Sequence, residues 1–254
     1  LGNSLNQIAF EKLGILNSKS TIFINQQKKH VMKYIKSQLK KRKLTAELFN
    51  SQWKVKSNFY SSKDTKVNLS KLNLLGSHQL INAGLGIHLA KNILKEKFEI
   101  KKTEKALMNC IWPGRLQEIK NGLLCKRIKK FKNIFLDGFH NIDGMKALIK
   151  TLPKNKKILI CSFLNNKKYI QMLSNLSKHF NKIIVVKMNE ENSITEDLLP
   201  KKLELYFANS LNESFKTINL LSSKKTSVYF GGSLYFIGEV LKMNQLKTLV
   251  SSNK

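Results

Sequence analysis

Two short polar segments each follow directly after an apolar run that is typical of a buried strand. Their sequences are Asp-Gly-Phe-His-Asn at 137–141 and Gly-Gly-Ser-Leu-Tyr at 231–235. In an open parallel sheet, ligands bind at the carboxyl ends of the strands, where an acidic side chain accepts ribose hydroxyls and helix-terminal N–H groups face anions. This position suits Asp137, His140 and Ser233 for ligand binding.

Both segments also have a structural interpretation. Asp-Gly is common in turns, and Asn141 is a suitable N-cap for a following helix. Paired glycines allow a ligand to approach the backbone closely, but Ser233 is equally able to cap a helix, and the cap is favoured when the segment is taken alone. The sequence therefore leaves ligand binding and local structure open as alternatives.

Arg115 lies in the helix-breaking segment Trp112-Pro113-Gly114-Arg115 and is one of three arginines in a lysine-dominated chain. A planar guanidinium grips phosphate through paired hydrogen bonds, so Arg115 is a candidate phosphate clamp. The alternative is an ion pair with a nearby carboxylate such as Glu118.

His78 and Asn82 are spaced i, i+4 and share one face of a predicted helix, whereas His88 lies on a different turn. No carboxylate or third histidine stands at matching spacing, so we do not predict a metal site from this pair. The Asn82 amide can both donate and accept, which suits the edge of a nucleobase.

The apolar periodicity predicts two parts with a boundary near 112–124. The first part has predicted helices at 5–16, 31–44, 77–94 and 103–111, a short strand at 21–24, and exposed hairpins or loops at 53–68. In the second part, strands at 134–136, 157–163, 183–186 and 228–230 alternate with helices from 142, near 169–180 and at 211–221. This alternation favours an α/β fold with a mainly parallel sheet.

The composition restricts the function classes. A net charge of +30 attracts nucleic acid or other polyanions, but the positive residues are almost all lysine and are scattered through the chain, without an RRM, KH or zinc-finger signature. Three widely spaced cysteines indicate neither a disulfide framework nor a zinc site, which favours a reducing, cytoplasmic compartment. The sequence predicts no membrane span and shows no secretory signal at its start.

Six motifs in order resemble the folylpolyglutamate synthase / dihydrofolate synthase family of the Mur ligase superfamily. They are Leu1-Gly2, Ile8-Ala9-Phe10-Glu11-Lys12-Leu13-Gly14-Ile15, His78-Gln79 with Asn82-Ala83, Trp112-Pro113-Gly114-Arg115, Asp137-Gly138-Phe139-His140-Asn141 and Gly232-Ser233-Leu234-Tyr235. Each motif is weak alone, whereas the ordered set is hard to obtain by chance. Phe139 departs from the pattern, since the family usually has alanine there, and its ring is expected to alter a pocket wall.

The resemblance implies the end of a Mur-ligase-type ATPase domain over 1–114, followed by a Rossmann-like, glutamate-ligase domain over 115–254, with the active site in the cleft between them. It implies a cytoplasmic, monomeric ligase that uses ATP and Mg²⁺ to join L-glutamate to dihydropteroate or to folate polyglutamate through an acyl phosphate. No specific nucleic acid or membrane partner is implied.

The resemblance also assigns roles to individual residues. Asn82 would contact adenine, Arg115 the ATP phosphates and Asp137 the ribose, while His140 and Ser233 would lie at the glutamate end. Lys12 matches a lysine that the family carries as a carbamate. Burial would favour the neutral amine that reacts with carbon dioxide, and the resulting anion could interact with magnesium. Without the resemblance, Lys12 reads as a solvated helix lysine.

The sequence contains no GxxxxGK[ST] phosphate loop and no Gly-Lys pair. In the family this loop precedes the segment with which the chain begins, so we expect a truncated ligase that is inactive by itself. Two alternatives stay open: a non-catalytic remnant that binds nucleotide or a polyanion, and a basic nucleic-acid-binding protein.

Overall fold

The structure is a computed structural model that describes Gly2 and residues 4–244. Leu1, which belongs to the first motif, lies outside the described residues. The chain divides into two compact units. The first comprises the residues up to Asn73 together with Ser77–Cys110, and the second comprises Leu74–Gly76 and the residues from Ile111 onward. The assignment of these units to the two predicted domains stays a prediction.

The first unit begins with two packed helices, α1 (Leu5–Leu13) and α2 (Lys29–Lys41). Ser4 and Gln7 form a capping box that satisfies N–H groups at the start of α1. Strand β1 (Phe23–Ile24) pairs in parallel with β2 (Glu47–Leu48). Apolar residues from these elements form a small core: Leu13, Ile22, Val31, Ile35 and Leu39. The spacing of the last three residues places them on one face of α2.

A second core in this unit lies between an antiparallel sheet and a long helix. The sheet contains β3 (Trp53–Lys56), β4 (Phe59–Ser62) and β5 (Lys66–Asn68). Helix α3 (Ser77–Leu94) packs on it, and a 3₁₀ turn and α4 (Ile100–Met108) follow. The hairpins predicted at 53–68 are present, but they are not fully exposed, because each strand buries one side chain in this core: Trp53, Tyr60 and Val67.

The second unit contains a six-stranded sheet with helices on both faces. Its elements in chain order are β6 (Gln117–Ile119), α5 (Leu123–Arg127), β7 (Asn133–Asp137), α6 (Ile142–Ile149), β8 (Lys157–Ser162), α7 (Tyr169–Leu176), β9 (Lys182–Val186), β10 (Tyr206–Ala208), α8 (Leu211–Leu221), β11 (Ser227–Gly232) and α9 (Leu234–Met243). The strand order is β10-β9-β8-β11-β7-β6, and every neighbouring pair is parallel except β6 with β7. The predicted α/β fold with a mainly parallel sheet is confirmed.

Alternate side chains along the strands of the second unit enter two different cores. In β11, Val228 and Phe230 pack with α5, α8 and α9, whereas Tyr229 packs with α6 and α7. Helices therefore cover both faces of the sheet, as its continuously apolar strands require. Within this unit, the sequence pattern does not predict the short strands β6 and β10 or the short helix α5. Within the described residues, no helix is long and apolar enough to cross a membrane.

Candidate functional site

The two polar segments singled out in the sequence lie side by side at one edge of the second unit's sheet. Asp137, the last residue of β7, is in register with Gly231 of β11. The helix after β7 packs on one face of the sheet and the helix after β11 packs on the other. Helices that diverge in this way leave a crevice at the carboxyl ends of the two strands, where open α/β sheets bind ligands.

Asp137 has a half-buried carboxylate with acceptor capacity to spare. Its Oδ2 accepts a hydrogen bond from the Leu116 N–H over 2.9 Å, and within the described part of the chain Oδ1 accepts none. Burial raises the pKa of Asp137 to about 6, and the Leu116 N–H and the positive charge of Arg115 only partly oppose that rise. A free carboxylate oxygen at a strand end can accept a hydrogen bond from a hydroxyl group of a ligand.

Arg115 lies beside Asp137 and is anchored to the same segment. Its Nη1 donates to the Gly138 carbonyl oxygen over 3.3 Å. The suggested ion pair with Glu118 is wrong, because the Glu118 carboxylate instead accepts from Asn133 over 2.7 Å and lies 3.8 Å from the Lys120 ammonium. The guanidinium has five N–H donors, so a single carbonyl leaves most of its capacity available for an anion.

His140 is held by its own segment. Its Nδ1 lies 3.2 Å from the Gly138 carbonyl oxygen, and its Nε2 lies 3.3 Å from the side-chain amide nitrogen of Asn141. A carbonyl only accepts and an amide N–H only donates, so this arrangement favours the tautomer with hydrogen on Nδ1. Asn141 also caps α6, since its Oδ1 accepts the Gly144 N–H over 2.8 Å. The capping interpretation of Asn141 is therefore confirmed.

Ser233 joins the end of β11 to the start of α9. The serine is buried, its Oγ accepts the Tyr235 N–H over 3.2 Å, and its own N–H donates to the Ser162 carbonyl over 2.8 Å. The cap that the sequence favours is thus present, and among the described residues the hydroxyl hydrogen has no acceptor. Gly232 before it has a φ of +102°, and a Cβ there would overlap the Ser162 carbonyl oxygen, so the turn requires glycine.

Phe139 occupies the interior beneath the two segments. Its ring is 1% exposed and packs in the core shared with α6 and α7, 6.1 Å between centroids from the Phe163 ring. A Cβ at Gly231 would overlap this ring, and a Cβ at Gly138 would overlap the Leu234 side chain. The phenylalanine therefore lies within the core, and the glycines let the two segments meet above it.

The remaining predicted site residues belong to the first unit. Asn82 is exposed on α3, and its amide exchanges hydrogen bonds with Asn25 over 3.4 Å and Gln79 over 3.3 Å. Lys12 is exposed near the end of α1. The burial that we invoked to favour its neutral amine is therefore not provided by the described part of this unit, and the carbamate stays an expectation from the resemblance.

Nucleotide and metal fit these residues unequally. Asp137 offers an unfilled carboxylate oxygen and the neighbouring Arg115 a guanidinium, and this set of groups suits a sugar and an anionic group. Among residues 4–244 there is no cluster of three or more histidine, cysteine, aspartate or glutamate side chains able to hold a metal ion. The described residues thus fit a nucleotide but do not by themselves form a magnesium site.

A polar network in the first unit was missed by the sequence analysis. The His88 ring is buried and hydrogen-bonded at both nitrogens. Its Nδ1 lies 2.8 Å from the Tyr60 hydroxyl oxygen, and its Nε2 bonds the Glu47 carboxylate. The ring stacks on Trp53 with 5.5 Å between centroids. The partners lie 28 and 41 residues from His88 in sequence, so no local pattern links them. Its buried, fully bonded ring indicates a structural role.

The second unit has the doubly wound arrangement whose strand-end crevice binds nucleotides in many proteins. No protein-family model matches the chain, and neither does any curated protein. Among solved structures, folylpolyglutamate synthases share its fold. The Mycobacterium tuberculosis folylpolyglutamate synthase complexed with ADP aligns over 96% of this chain and 60% of its own, with a TM-score of 0.80 and 19% identity.

Two further structures extend the comparison. The Yersinia pestis bifunctional folylpolyglutamate synthase/dihydrofolate synthase, complexed with AMPPNP and a Mn ion, covers 95% of this chain and 57% of its own, with a TM-score of 0.78 and 15% identity. The Lactobacillus casei folylpolyglutamate synthetase covers 95% and 58%, with a TM-score of 0.68 and 19% identity. The predicted resemblance is thus confirmed in the fold, and the chain spans 60% or less of these proteins.

Proposed function

We propose that this chain is part of an ATP-dependent amide ligase that adds L-glutamate to dihydropteroate or to the glutamate tail of a folate. The observation that supports this most directly is that Asp137 and Arg115 lie beside each other at the end of β7, next to β11, in a fold shared with folylpolyglutamate synthases. The proposal assigns 1–114 to the end of an ATPase domain and 115–254 to the glutamate-ligase domain of a cytoplasmic, monomeric enzyme.

The proposed nucleotide contacts follow from what each side chain has left to offer. The free carboxylate oxygen of Asp137 accepts a ribose hydroxyl, and the unused guanidinium N–H groups of Arg115 donate to phosphate oxygens. Asn82 presents an exposed amide that both donates and accepts, as an adenine edge requires. These assignments combine the family resemblance with the hydrogen bonds that the residues already make.

In the proposed reaction, a carboxylate oxygen of the pteroate or folate substrate attacks the γ-phosphorus of ATP. The bond from that phosphorus to the β,γ-bridging oxygen breaks, which gives an acyl phosphate and ADP. The amine of glutamate then attacks the acyl carbon, the tetrahedral intermediate expels inorganic phosphate, and the amine loses a proton to form the amide. Arg115 stabilises negative charge on the transferring phosphoryl group.

His140 and Ser233 are the proposed residues at the glutamate end. His140 is oriented by Gly138 and Asn141, and the hydroxyl of Ser233 has a hydrogen to donate to a carboxylate. The family resemblance further suggests that the Lys12 amine adds carbon dioxide and releases a proton, giving a carbamate that could bind magnesium.

The proposal is tested with the complete gene product that contains this chain. We expect it to release phosphate from ATP only when both a pteroate or folate acceptor and L-glutamate are present, with ADP and the glutamylated product formed in equal amounts. The 254-residue chain alone should bind ADP but show no turnover, because its sequence contains no phosphate loop. Binding of ADP without any glutamylation by the complete product would instead support a non-catalytic nucleotide-binding protein.

A further inference from the structure

The turn before β6 is fastened to the end of β7 by three hydrogen bonds. The Gly138 N–H donates to the Gly114 carbonyl over 2.8 Å. The Leu116 N–H donates to Oδ2 of Asp137 over 2.9 Å, and the Arg115 guanidinium donates to the Gly138 carbonyl over 3.3 Å. Each of the three turn residues thus contributes one contact, and together they fix the carboxylate and the guanidinium relative to each other.

This turn adopts a backbone conformation that needs external support. Gly114 has a φ of +69° and Leu116 a φ of +45°, which is unusual for a leucine. The Leu116 side chain is buried in the core with α6 and α7, which holds one end of the turn. Gly114 has no side chain, and a Cβ there would lie 2.6 Å from Cγ2 of Ile237. The other end of the turn must therefore be held through its backbone.

Gln117 supplies that support. It is the first residue of β6, in register with Leu136 of β7, and its side chain folds back so that Oε1 accepts the Gly114 N–H over 2.9 Å. Gly114 is thereby held on both sides, through its N–H by Gln117 and through its carbonyl by Gly138. Because glycine rotates freely, loss of either bond would release the turn.

We propose that Gln117 is a positioning residue, whose side-chain carbonyl holds the 114–116 turn in the conformation that presents Asp137 and Arg115 together to a nucleotide. The inference rests on the proposed function for the identity of the ligand. The hydrogen bonds that carry it are independent of the reaction. Gln117 does not need to touch the nucleotide itself, since it acts through Gly114 and Leu116.

Three variants of the 254-residue chain test the proposal. Gln117→Met preserves length but removes the acceptor, and Gln117→Glu retains an oxygen at the same reach. Glu118→Met is the matched control, because Glu118 stands on the same strand but bonds Asn133 instead of the turn. The two measurements are ADP affinity by calorimetry and the pH titration of the Leu116 amide by ¹⁵N NMR. The amide reports ionisation of Asp137, whose pKa lies near 6.

We expect Gln117→Met to weaken ADP binding by about tenfold, since small misplacements of binding groups are costly, and to abolish the Leu116 amide inflection near pH 6. Gln117→Glu should restore the inflection, although its added charge also repels ADP. Glu118→Met should match the wild type in both. If Gln117→Met lowers only thermal stability and leaves both readouts unchanged, Gln117 is merely structural. If the wild type binds no ADP, the nucleotide contacts proposed for Asp137 and Arg115 in this chain fail, while the amide titration still decides the role of Gln117.

Discussion

His88 in the first unit and Asp137 in the second are both polar groups removed from water, but their hydrogen bonding differs. Both ring nitrogens of His88 are bonded, to Tyr60 and Glu47, and its ring is stacked on Trp53. Asp137 uses one carboxylate oxygen, for the Leu116 N–H, at the open end of a strand. A group whose bonding capacity is filled within its own core stabilises the fold, whereas a partly filled group at a strand end is available to a ligand.

The electrostatic cost of burial also falls differently on the two regions. Burial raises the pKa of the Tyr60 hydroxyl, but this group is neutral at ordinary pH and nothing is lost. Burial raises the pKa of Asp137 to about 6, so at neutral pH this carboxylate is ionised in a place that disfavours its charge. The second unit thus retains an unfavourable interaction, which in the proposed function a ribose hydroxyl would offset by donating a hydrogen bond to the carboxylate.

The largest expected effect concerns Arg115 and Asp137 in the second unit. In the complete gene product, Arg115→Ala should lower kcat by about 100-fold or more, because charge on the phosphates redistributes in the transition state. Asp137→Ala should instead raise the KM for ATP with a smaller change in kcat, because the ribose barely changes during phosphoryl transfer. Steady-state kinetics with varied ATP separate the two outcomes.

Arg127→Ala is the matched control for the arginine change. Arg127 is exposed, bonds Asn212 and lies over the Phe215 ring, away from the strand-end segments. Its loss should leave kcat within about twofold, as for an ordinary surface substitution. Arg115→Lys should recover activity only partly, because a point charge cannot reproduce a two-pronged guanidinium contact. A near-normal kcat for Arg115→Ala would make Arg115 a structural residue of the turn.

Substitution of His88 in the first unit should lower the stability of the fold. His88→Ala removes a ring from beneath Trp53 and leaves the Tyr60 hydroxyl and the Glu47 carboxylate without their partner. We expect the free energy of unfolding to fall by about 2–3 kcal/mol, from the cavity and the unpaired groups together. Chemical denaturation measures this loss.

The exposed His30 on α2 provides the comparison for that experiment. His30→Ala should change the free energy of unfolding by about 0.5 kcal/mol or less, as is usual at the surface. If both histidine variants unfold at the same denaturant concentration, the buried network of His88 does not stabilise the fold. His88 would then no longer differ from Asp137 in having a structural role.

The sequence predicted the second unit better than the first, and the reason is physical. Buried parallel strands are continuous apolar runs, so β7, β8, β9 and β11 stand out, and their order along the chain implies a parallel sheet. Strand β10 has three residues at the sheet edge and gives too short a signal. The sequence predicts the hairpins of 53–68 but not their buried face, because each strand buries only one side chain among polar residues.

The site could be located from sequence but not completed. Asp137 and Ser233 are predicted as candidates because each comes at the end of an apolar run, and parallel strand ends meet at one edge of a sheet. The support from Leu116 and Gln117 could not be found, since it depends on a left-handed leucine and on a side chain folding back on its own turn. For Lys12, the residue pattern alone predicts a solvated helix lysine, which agrees with its exposure, and burial was expected only from the family resemblance.

The smallest expected effect is on the free energy of unfolding, which ionisation of Asp137 should lower. Its pKa lies near 6 in the folded chain against an ordinary value of 3.8, so the folded state holds the proton more tightly and stability falls as pH rises between these values. Each pKa unit corresponds to about 1.4 kcal/mol, and because the carboxylate is only half-buried we expect solvent to reduce the total to about 1–2 kcal/mol.

Asp137→Asn keeps an acceptor for the Leu116 N–H without the charge, so it should stabilise the nucleotide-free chain by that amount at pH 8 and by almost nothing at pH 4. Thermal unfolding of both proteins across this range measures the difference. An equal difference at both pH values would show that the carboxylate is solvated well enough to ionise without cost, and Asp137 would then lose its contrast with His88.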